Sequence, residues 1–252
     1  MPETGGLFYT DSSAVAAGPP LVLVHGAGGT HLHWPEELRA LSGRRVLAID
    51  LPGHGRSPGP APKTLAGFAG AVRGFLDALG IDAAVVGGHS MGGAIALTMA
   101  LDAPVRVAGL VLVGTGAKLR VAPIILQLTA DAAALTTAAD TVTDACFGPH
   151  VTAAVRSAFA AGLIANAPGV VHDDFAACNT FDVMARLGEL RMPALVVCGD
   201  EDRLTPPKYS AFLAGAIASA RLVRVPAAGH AVMLEAPAVV AHAVEGFLET
   251  LG

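Results

Sequence analysis

The sequence predicts an α/β fold, in which a mostly parallel central sheet carries helices on both faces and a helical insertion interrupts the pattern. Short apolar runs alternate with stretches long enough for helices, and a run such as residues 21–24 contains no polar side chain. Strands that are apolar on both faces are typical of a parallel sheet covered by helices. The composition supports this prediction, because 53% of the 252 residues are hydrophobic and 15% are charged.

The first part of the chain follows this alternation. Its predicted strands lie at residues 7–9, 21–24 and 45–50, and a loop that reaches Pro20 separates the first two. A short helix is predicted at residues 36–41. A longer amphipathic helix is predicted at residues 64–79, because apolar side chains recur there on one stripe and Gly80 follows as a terminator.

The chain is organised around residues 83–101, which read AAVVGGHSMGGAIALTMAL. We predict a buried strand at residues 84–86, a sharp turn over residues 87–93 and an apolar helix at residues 94–100. The stretch has no Asp, Glu, Lys or Arg, so hydropathy alone would allow a membrane span. Glycines, a histidine and a serine at its centre favour a buried strand, turn and helix instead.

The predicted turn contains Gly88-His89-Ser90-Met91-Gly92, a G-x-S-x-G pattern that exposes a nucleophilic serine between a strand and a helix. Side chains two residues either side of the serine would collide with so tight a turn, which accounts for Gly88 and Gly92. Short matches to this pattern also arise by chance. The rest of the chain must therefore supply a base, an acid and an oxyanion hole.

After a predicted strand at residues 109–113, the alternation stops between residues 116 and 185. This part is rich in Ala and Thr, with helical stretches at residues 121–135 and 151–165 that Pro149 and Pro168 break. We predict a core domain, residues 1–115 and 186–252, and a helical cap, residues 116–185, that covers the site. The remaining predicted elements are strands at residues 194–198 and 221–225 and helices at residues 208–217 and 238–248.

Catalytic groups in parallel sheets gather beyond the carboxyl ends of the strands. Ser90 follows one predicted strand, the acidic run Asp200-Glu201-Asp202 follows another, and His230 follows a third. His230 can take the proton of Ser90 during attack and return it to the leaving alcohol. An acid must hold the other ring nitrogen. Asp200 and Asp202 both stay open for that role, and Asp202 is favoured because it lies further from the strand.

The glycine-rich loop at residues 25–29, HGAGG, predicts an oxyanion loop. A phosphate cradle is disfavoured, because the loop has no Walker lysine and no regular G-x-G-x-x-G. We expect the backbone N–H groups of Ala27 and Met91 to be the oxyanion donors. The predicted substrate-binding neighbours are Gly26, Gly28, His89 and Trp34.

Other histidines have less specific interpretations. His31 and His33 could bind zinc, but no thiolate and no regular ligand spacing accompany them, so we predict no metal and no cofactor. His25 and His54 are expected to orient loops by hydrogen bonding. His89 is expected to pack, because side chains beside the serine should point away from it.

The charge pattern excludes several partners. The net charge is −5 and no basic run occurs, so nucleic acid is not an expected partner. The first ten residues lack a basic start followed by an apolar stretch, so no secretory signal is expected.

Three cysteines without metal-ligand spacing, Cys146, Cys178 and Cys198, favour buried thiols in a reducing cytoplasm. The oligomeric state is left open between a monomer and a homodimer.

Five segments taken in order, HGAGG, DLPGHGRS, GHSMGG, GDEDRLTPP and AGHAVMLEAP, resemble a capped α/β-hydrolase of the esterase and enol-lactonase type. The resemblance covers most of the chain outside residues 116–185. It implies the order nucleophile, acid, histidine, with Asp202 as the Asp of a G-x-x-D turn and Ala27 as the residue after His-Gly. Many relatives carry a bulkier residue than Ala27. Ser90 argues against haloalkane dehalogenases, whose nucleophile is an aspartate.

The sequence therefore predicts a serine hydrolase that cleaves a carboxylic ester, of small to medium and largely apolar structure, through an acyl-enzyme. The alternatives with the same parts are a lactonase, an enol-lactonase or a C–C bond hydrolase. A ligand receptor that keeps the hydrolase fold with little turnover is the alternative from another class. The expected partner is a small-molecule ester or lactone.

Overall fold

The computed structural model describes residues 3–13, 18–167 and 169–251. The strands in these residues are β1 (Glu3–Thr4), β2 (Leu7–Asp11), β3 (Leu21–Val24), β4 (Val46–Ile49), β5 (Ala84–His89), β6 (Val107–Val113), β7 (Ala194–Gly199) and β8 (Ala220–Val225). They form a single sheet in the order β1-β2-β4-β3-β5-β6-β7-β8. The first two pairings, β1 with β2 and β2 with β4, are antiparallel, and the remaining pairings are parallel. The predicted mostly parallel sheet is confirmed.

The helices that precede β6 are α1 (Glu36–Arg39), α2 (Leu65–Ala78) and α3 (Met91–Asp102). Between β6 and β7 lie α4 (Pro123–Ala130), α5 (Leu135–Cys146), α6 (Ala153–Ile164) and α7 (Val170–Asn179). The helices after β7 are α8 (Pro207–Ala216), α9 (Val232–Glu235) and α10 (Pro237–Leu248). Among the described residues, no helix is both long enough and apolar enough to cross a membrane.

Both faces of the sheet are buried, as unbroken apolar strands require. All residues of β3, β4, β5 and β7 are buried. Side chains of α2, α3 and α8 pack with one set of strand residues, and side chains of α1, α9 and α10 pack with the other set. The strands therefore run between two helical layers, and their carboxyl ends emerge together at one edge of the sheet.

The central turn is shorter than predicted. Strand β5 continues to His89 and α3 begins at Met91, so Ser90 alone separates them, whereas we predicted a turn over residues 87–93. Glycines made those positions resemble a loop. They lie instead inside a strand and a helix that pack closely, as the site geometry below shows.

The helices between β6 and β7 also differ from the prediction. Residues 121–135 form the shorter helix α4, and neither α5 nor α7 was predicted. The stripe that α5 buries consists mostly of small residues, Ala138, Ala139, Thr143 and Cys146 with Val142, and α7 has two adjacent aspartates at its centre. The break predicted at Pro168 falls outside the described residues. Apolar residues of α4 to α7 form a cluster of their own that also contacts Ala231 and Leu204.

Candidate active site

Ser90 occupies a strained turn that only its glycine neighbours allow. Its φ is 52° and its ψ is −115°, a backbone conformation that non-glycine residues rarely adopt. A Cβ atom at Gly88 would lie 2.1 Å from the carbonyl oxygen of Gly92, and one at Gly92 would lie 2.2 Å from that of Val24. Both positions must therefore be glycine for α3 to start directly after β5 and to pack against β3.

Two hydrogen bonds fix the backbone of Ser90. Its N–H donates to Val113 O over 2.9 Å, and Thr115 Oγ1 donates to Ser90 O over 2.8 Å. Both partners belong to β6 or the residues just after it. The serine is thus tied to the neighbouring strand of the sheet, and its side chain lines two small cavities above the strand ends.

His230 and Asp202 form a buried pair beside Ser90. His230 Nδ1 lies 2.9 Å from Asp202 Oδ2, and the two side chains are 3% and 0% exposed. Thr205 Oγ1 donates to the same carboxylate oxygen over 2.8 Å. His230 lines the same cavity as Ser90. Because Nδ1 faces the carboxylate, its N–H is held there and Nε2 is the nitrogen left for proton transfer.

The carboxylate of Asp202 is held in its ionised form. Burial alone would raise its pKa, but the adjacent His230 and the hydrogen bonds of Thr205 outweigh burial and lower it. Its Oδ1 accepts the backbone N–H groups of Leu204 and Thr205 over 2.9 and 2.8 Å. Hydrogen bonds of this kind favour the charged form of a carboxylate.

Asp200, the other acidic candidate, faces away from His230. Arg224 Nε donates to Asp200 Oδ1 over 2.7 Å, and the Asp200 side chain is 33% exposed. The Asp200 N–H bonds to Val225 O and so continues the pairing of β7 with β8. The structure thus places the carboxylate of Asp202, and not that of Asp200, against the imidazole.

The loop at residues 25–29 lies beside the serine. Ala27 lines both cavities that Ser90 lines, and Gly26 lines one of them. Met91 is the first residue of α3, so its N–H belongs to the helix N-terminal donors that have no partner inside the helix. Of the two predicted donor residues, Ala27 therefore lines the cavities of Ser90, and Met91 follows the serine directly in the chain.

A carboxylate from the segment between β6 and β7 holds this loop. The N–H of Gly28 donates to Asp174 Oδ2 over 2.8 Å, and a Cβ atom on Gly28, whose φ is +62°, would lie 2.5 Å from Leu163 Cδ2. Asp174 lies on α7 and Leu163 on α6. The conformation of the loop at residues 25–29 therefore depends on helices that follow β6.

Asp174 also pairs with a histidine that follows β4. His54 Nε2 lies 2.8 Å from Asp174 Oδ2, and both side chains are 0% exposed. His54 Nδ1 lies 3.1 Å from Pro52 O. Both ring nitrogens thus face acceptors. Although burial alone would lower the pKa of His54, the hydrogen bond and the charge of Asp174 outweigh burial and raise it, which favours the protonated imidazole. Sequence reasoning missed Asp174, because nothing near it in the chain signals a partner 120 residues away.

Of the remaining predicted neighbours, His89 lines the Ser90 cavity of about 20 Å³, whereas Gly28 and Trp34 line neither of the two cavities. His89 Nε2 donates to His230 O over 3.1 Å. Burial, and the repulsion that a second imidazolium beside His230 would meet, hold the pKa of His89 well below its ordinary value, so it is neutral. Our expectation that its side chain points away from the serine needs correction. Trp34, 1% exposed, packs in the core with α1 and α10.

The other histidines in and after the loop at residues 25–29 form hydrogen bonds or stack on an aromatic ring. His25 Nδ1 donates to Gly26 O over 2.8 Å, and its Nε2 accepts the N–H of Leu51 over 3.0 Å. His31 Nδ1 lies 2.7 Å from Asp50 Oδ1. His33 stacks on Phe159 with ring centroids 4.7 Å apart, and burial lowers its pKa to about 4. In the part of the chain that the structure describes, no group of three or more His, Cys, Asp or Glu could hold a metal ion.

The space next to Ser90 is small. One cavity of about 50 Å³ and another of about 20 Å³ adjoin the serine. A water molecule needs roughly 10–15 Å³ by such a measure, so the space directly beside the serine is narrow. Its walls are mostly apolar and include Ile125, Phe175 and Cys178, which come from the segment between β6 and β7.

The comparisons with known proteins agree with this geometry. The family model for the alpha/beta hydrolase fold matches residues 19–237, and the chain belongs to that family. It is 33% identical over 256 residues to the candidate carbamate hydrolase RutD of Variovorax paradoxus (strain S110), covering 92% of each protein. The match to the acetyltransferase component of the acetoin cleaving system of Cupriavidus necator is 48% identical but spans 25% of that protein's length.

Solved structures give the same result. A thermophilic esterase superposes with a TM-score of 0.83 at 31% identity, over 98% of this chain and 99% of that one. The enol-lactonase from Burkholderia xenovorans LB400 superposes with a TM-score of 0.88 at 27% identity, over 96% of each chain. The protein is a hydrolase of the alpha/beta hydrolase family.

Proposed function

We propose that the protein is a carboxylesterase that cleaves small esters through an acyl-enzyme on Ser90, with His230 as the base and Asp202 as the acid. The observation that carries this proposal is the pairing of His230 Nδ1 with Asp202 Oδ2 over 2.9 Å at the cavity that Ser90 lines. The similarity to a thermophilic esterase at 31% identity supports it.

In the first half-reaction, Ser90 Oγ attacks the ester carbonyl carbon while His230 Nε2 takes the hydroxyl proton. The imidazolium then gives this proton to the leaving alkoxide, so that the C–O bond breaks and the alcohol departs. Water repeats the sequence on the acyl-enzyme, releasing the carboxylic acid and restoring the serine. Asp202 keeps the N–H on Nδ1 and stabilises the imidazolium in each half-reaction, for which its lowered pKa suits it.

The developing oxyanion would be stabilised by the backbone N–H groups of Ala27 and Met91. Such donors are most effective when they are fixed before the reaction, since they then need no reorganisation. Gly28, the neighbour of Ala27, is bonded to Asp174, and Met91 is fixed by the start of α3. His89 and Gly26 complete the wall around the reacting carbonyl.

The test uses 4-nitrophenyl acetate and butyrate with wild type and Ser90→Ala. We expect turnover to fall by about 10⁴-fold or more in the variant, with an unchanged circular dichroism spectrum. The small apolar cavity predicts that kcat/KM declines for uncharged acyl chains much longer than butyrate. A Ser90→Ala protein that kept a substantial part of the activity would contradict the proposal, and so would a wild type without ester turnover.

A lactone substrate is the second candidate, because the enol-lactonase of known structure superposes with a TM-score of 0.88 at 27% identity. Ring opening needs the same nucleophile, base and oxyanion donors, and only the tether between acyl and alcohol differs. The similarity to the candidate carbamate hydrolase adds carbamates to the substrates to compare. Measuring kcat/KM for matched esters, lactones and carbamates of equal size would rank the three classes.

A further inference from the structure

A third and larger cavity, called the outer cavity, shares the wall residue Arg120 with the cavity of about 50 Å³ that Ser90 lines, called the inner cavity. It has a volume of about 370 Å³ and is lined by Lys118, Arg120, Lys208 and apolar groups that include Met184 and Phe212. The Met184 and Phe212 side chains are 44% and 42% exposed, so the cavity opens to solvent. The mechanism above uses none of these residues.

Arg120 lies at the boundary between the outer and the inner cavity. It lines the cavity of about 370 Å³ together with Lys118, and it also lines the cavity of about 50 Å³ that contains Ser90. The two residues before Arg120 face different cavities: Leu119 lines the inner cavity, and Lys118 lines the outer cavity. A substrate bound at Ser90 would therefore reach the outer cavity past Arg120.

The outer cavity is positively charged in a protein whose net charge is −5. Lys118 forms an ion pair with Asp182, which offsets one of the three cations. Arg120 and Lys208 leave an excess of positive charge at the wall, and Tyr209 adds a phenol ring. Arginine and lysine side chains that converge on one cavity are suited to bind a carboxylate.

The position of His230 indicates which part of a substrate extends towards Arg120. The leaving alcohol receives its proton from His230, which lines the cavity of about 20 Å³ but not the cavity of about 50 Å³. The alcohol therefore belongs on the His230 side. The acyl group belongs in the cavity that leads from Ser90 through apolar walls to Arg120.

We propose that the outer cavity is an anion subsite, and that the preferred substrates are esters whose acyl chain ends in a carboxylate. This rests on the proposed ester hydrolysis at Ser90. The acyl carbonyl lies at Ser90, a short apolar chain passes Leu119 and Val121, and the terminal carboxylate binds Arg120 and Lys208. The substrate class is thus the half-ester of a dicarboxylic acid.

The experiment compares monomethyl with dimethyl esters of dicarboxylic acids from succinate to suberate. Its readout is the ratio of kcat/KM for the half-ester to that for the diester of the same acid. Two double variants are compared with wild type, Arg120→Gln/Lys208→Gln and the matched control Arg73→Gln/Arg221→Gln. The control changes two exposed arginines that line neither cavity.

For the acid with the largest ratio, we expect about a tenfold lower ratio in the Arg120→Gln/Lys208→Gln protein, because a partly exposed ion contact contributes only a few-fold. The control is expected to stay within about twofold of wild type. The wild-type ratio should also fall between about 20 mM and about 500 mM NaCl, since salt screens exposed charges. An equal ratio in the three proteins would overturn the proposal.

Binding separates this proposal from that of ester hydrolysis. Titration calorimetry of monomethyl adipate into Ser90→Ala is expected to show binding that the added Arg120→Gln/Lys208→Gln pair weakens about tenfold. That result would support the anion subsite even if the wild type turned over no ester. A wild type without ester turnover would refute only the proposal of ester hydrolysis. Ester turnover together with half-ester binding that the two substitutions leave unchanged would refute the subsite alone.

Discussion

Two buried His–Asp pairs lie close to the same loop, and they differ in what their second ring nitrogen does. His230 and Asp202 are 2.9 Å apart, and His54 and Asp174 are 2.8 Å apart. In the second pair the other nitrogen of His54 is occupied by Pro52 O. In the first pair the other nitrogen of His230 stays free at the cavity of Ser90. A carboxylate beside a histidine therefore does not define a catalytic pair.

The two pairs also join different parts of the chain. Asp202 and His230 follow neighbouring strands, β7 and β8, so the sheet itself holds them in register. Asp174 belongs to α7 and His54 to the loop after β4, so that pair joins the segment between β6 and β7 to the core. We interpret the first pair as the one that moves protons and the second as the one that holds the oxyanion loop.

The largest effect on activity is expected when Asp202, the acid of the first pair, is replaced. Asp202→Asn should lower kcat by a factor of order 10⁴, because the amide no longer fixes the tautomer of His230 or stabilises its charge. The matched control is Asp200→Asn, which should stay within about threefold of wild type since Asp200 contacts Arg224 instead. Measuring kcat for both variants decides which acid serves His230. An inactive Asp200→Asn with a nearly normal Asp202→Asn would reverse the assignment.

A smaller effect on activity is expected from breaking the second pair. Asp174→Asn leaves a buried His54 without its counter-charge and weakens the bond from Gly28, so we expect a loss of about 3 kcal/mol of unfolding free energy. The misplaced oxyanion loop should lower kcat about tenfold, with a smaller change in KM. The neighbouring Asp173→Asn is the control, because its ion pair with Lys63 is at the surface and contributes about 0–1 kcal/mol.

Denaturant unfolding and steady-state kinetics on both proteins measure these changes. If the kcat of Asp174→Asn equalled that of wild type while its stability fell, the pair would hold the fold without supporting the oxyanion loop. If Asp173→Asn matched Asp174→Asn in both quantities, the buried contact would have no special role.

The smallest effect concerns pH. The pKa of His54 is raised in the folded protein, so the stability it adds is fully present below its unfolded pKa of about 6.5 and is lost as pH rises through the folded value. The difference in Tm between wild type and His54→Gln should therefore shrink as pH rises from about 6 to about 9. A His242→Gln control, at an exposed position of α10, should show no such trend. A difference that grew with pH would mean that His54 is neutral in the fold.

The sequence was most informative where function imposes local geometry. The turn at Ser90 could be predicted because Gly88 and Gly92 are required within two residues of it, and the two faces of the sheet could be predicted from unbroken apolar strands. The sequence narrowed the candidates for the acid to Asp200 and Asp202, which lie on one turn. Choosing between them needed the structure, because the choice depends on which carboxylate contacts Arg224 and which contacts His230.

What the sequence could not predict depends on contacts between distant segments. Asp174 is one of two adjacent aspartates on α7, and only the packing of α7 against the loops of the core shows that it meets His54 and Gly28. Trp34 was assigned to the pocket because it lies near the oxyanion loop in the chain. Trp34 lies just before α1, and its side chain is buried in the core layer of α1 and α10 instead.

The most direct test of the account measures how fast Ser90 reacts with diethyl 4-nitrophenyl phosphate, which forms a Ser90 O–P bond and releases 4-nitrophenolate. Peptide mass spectrometry locates the adduct, and absorbance gives the rate, for wild type, Ser90→Ala, His230→Gln and His54→Gln. We predict an adduct on Ser90 alone, none in Ser90→Ala, a rate at least about 10³-fold lower in His230→Gln, and one within about tenfold of wild type in His54→Gln. Equal losses in the two histidine variants, or an adduct that persisted in Ser90→Ala, would contradict the claim that only the His230–Asp202 pair activates the serine.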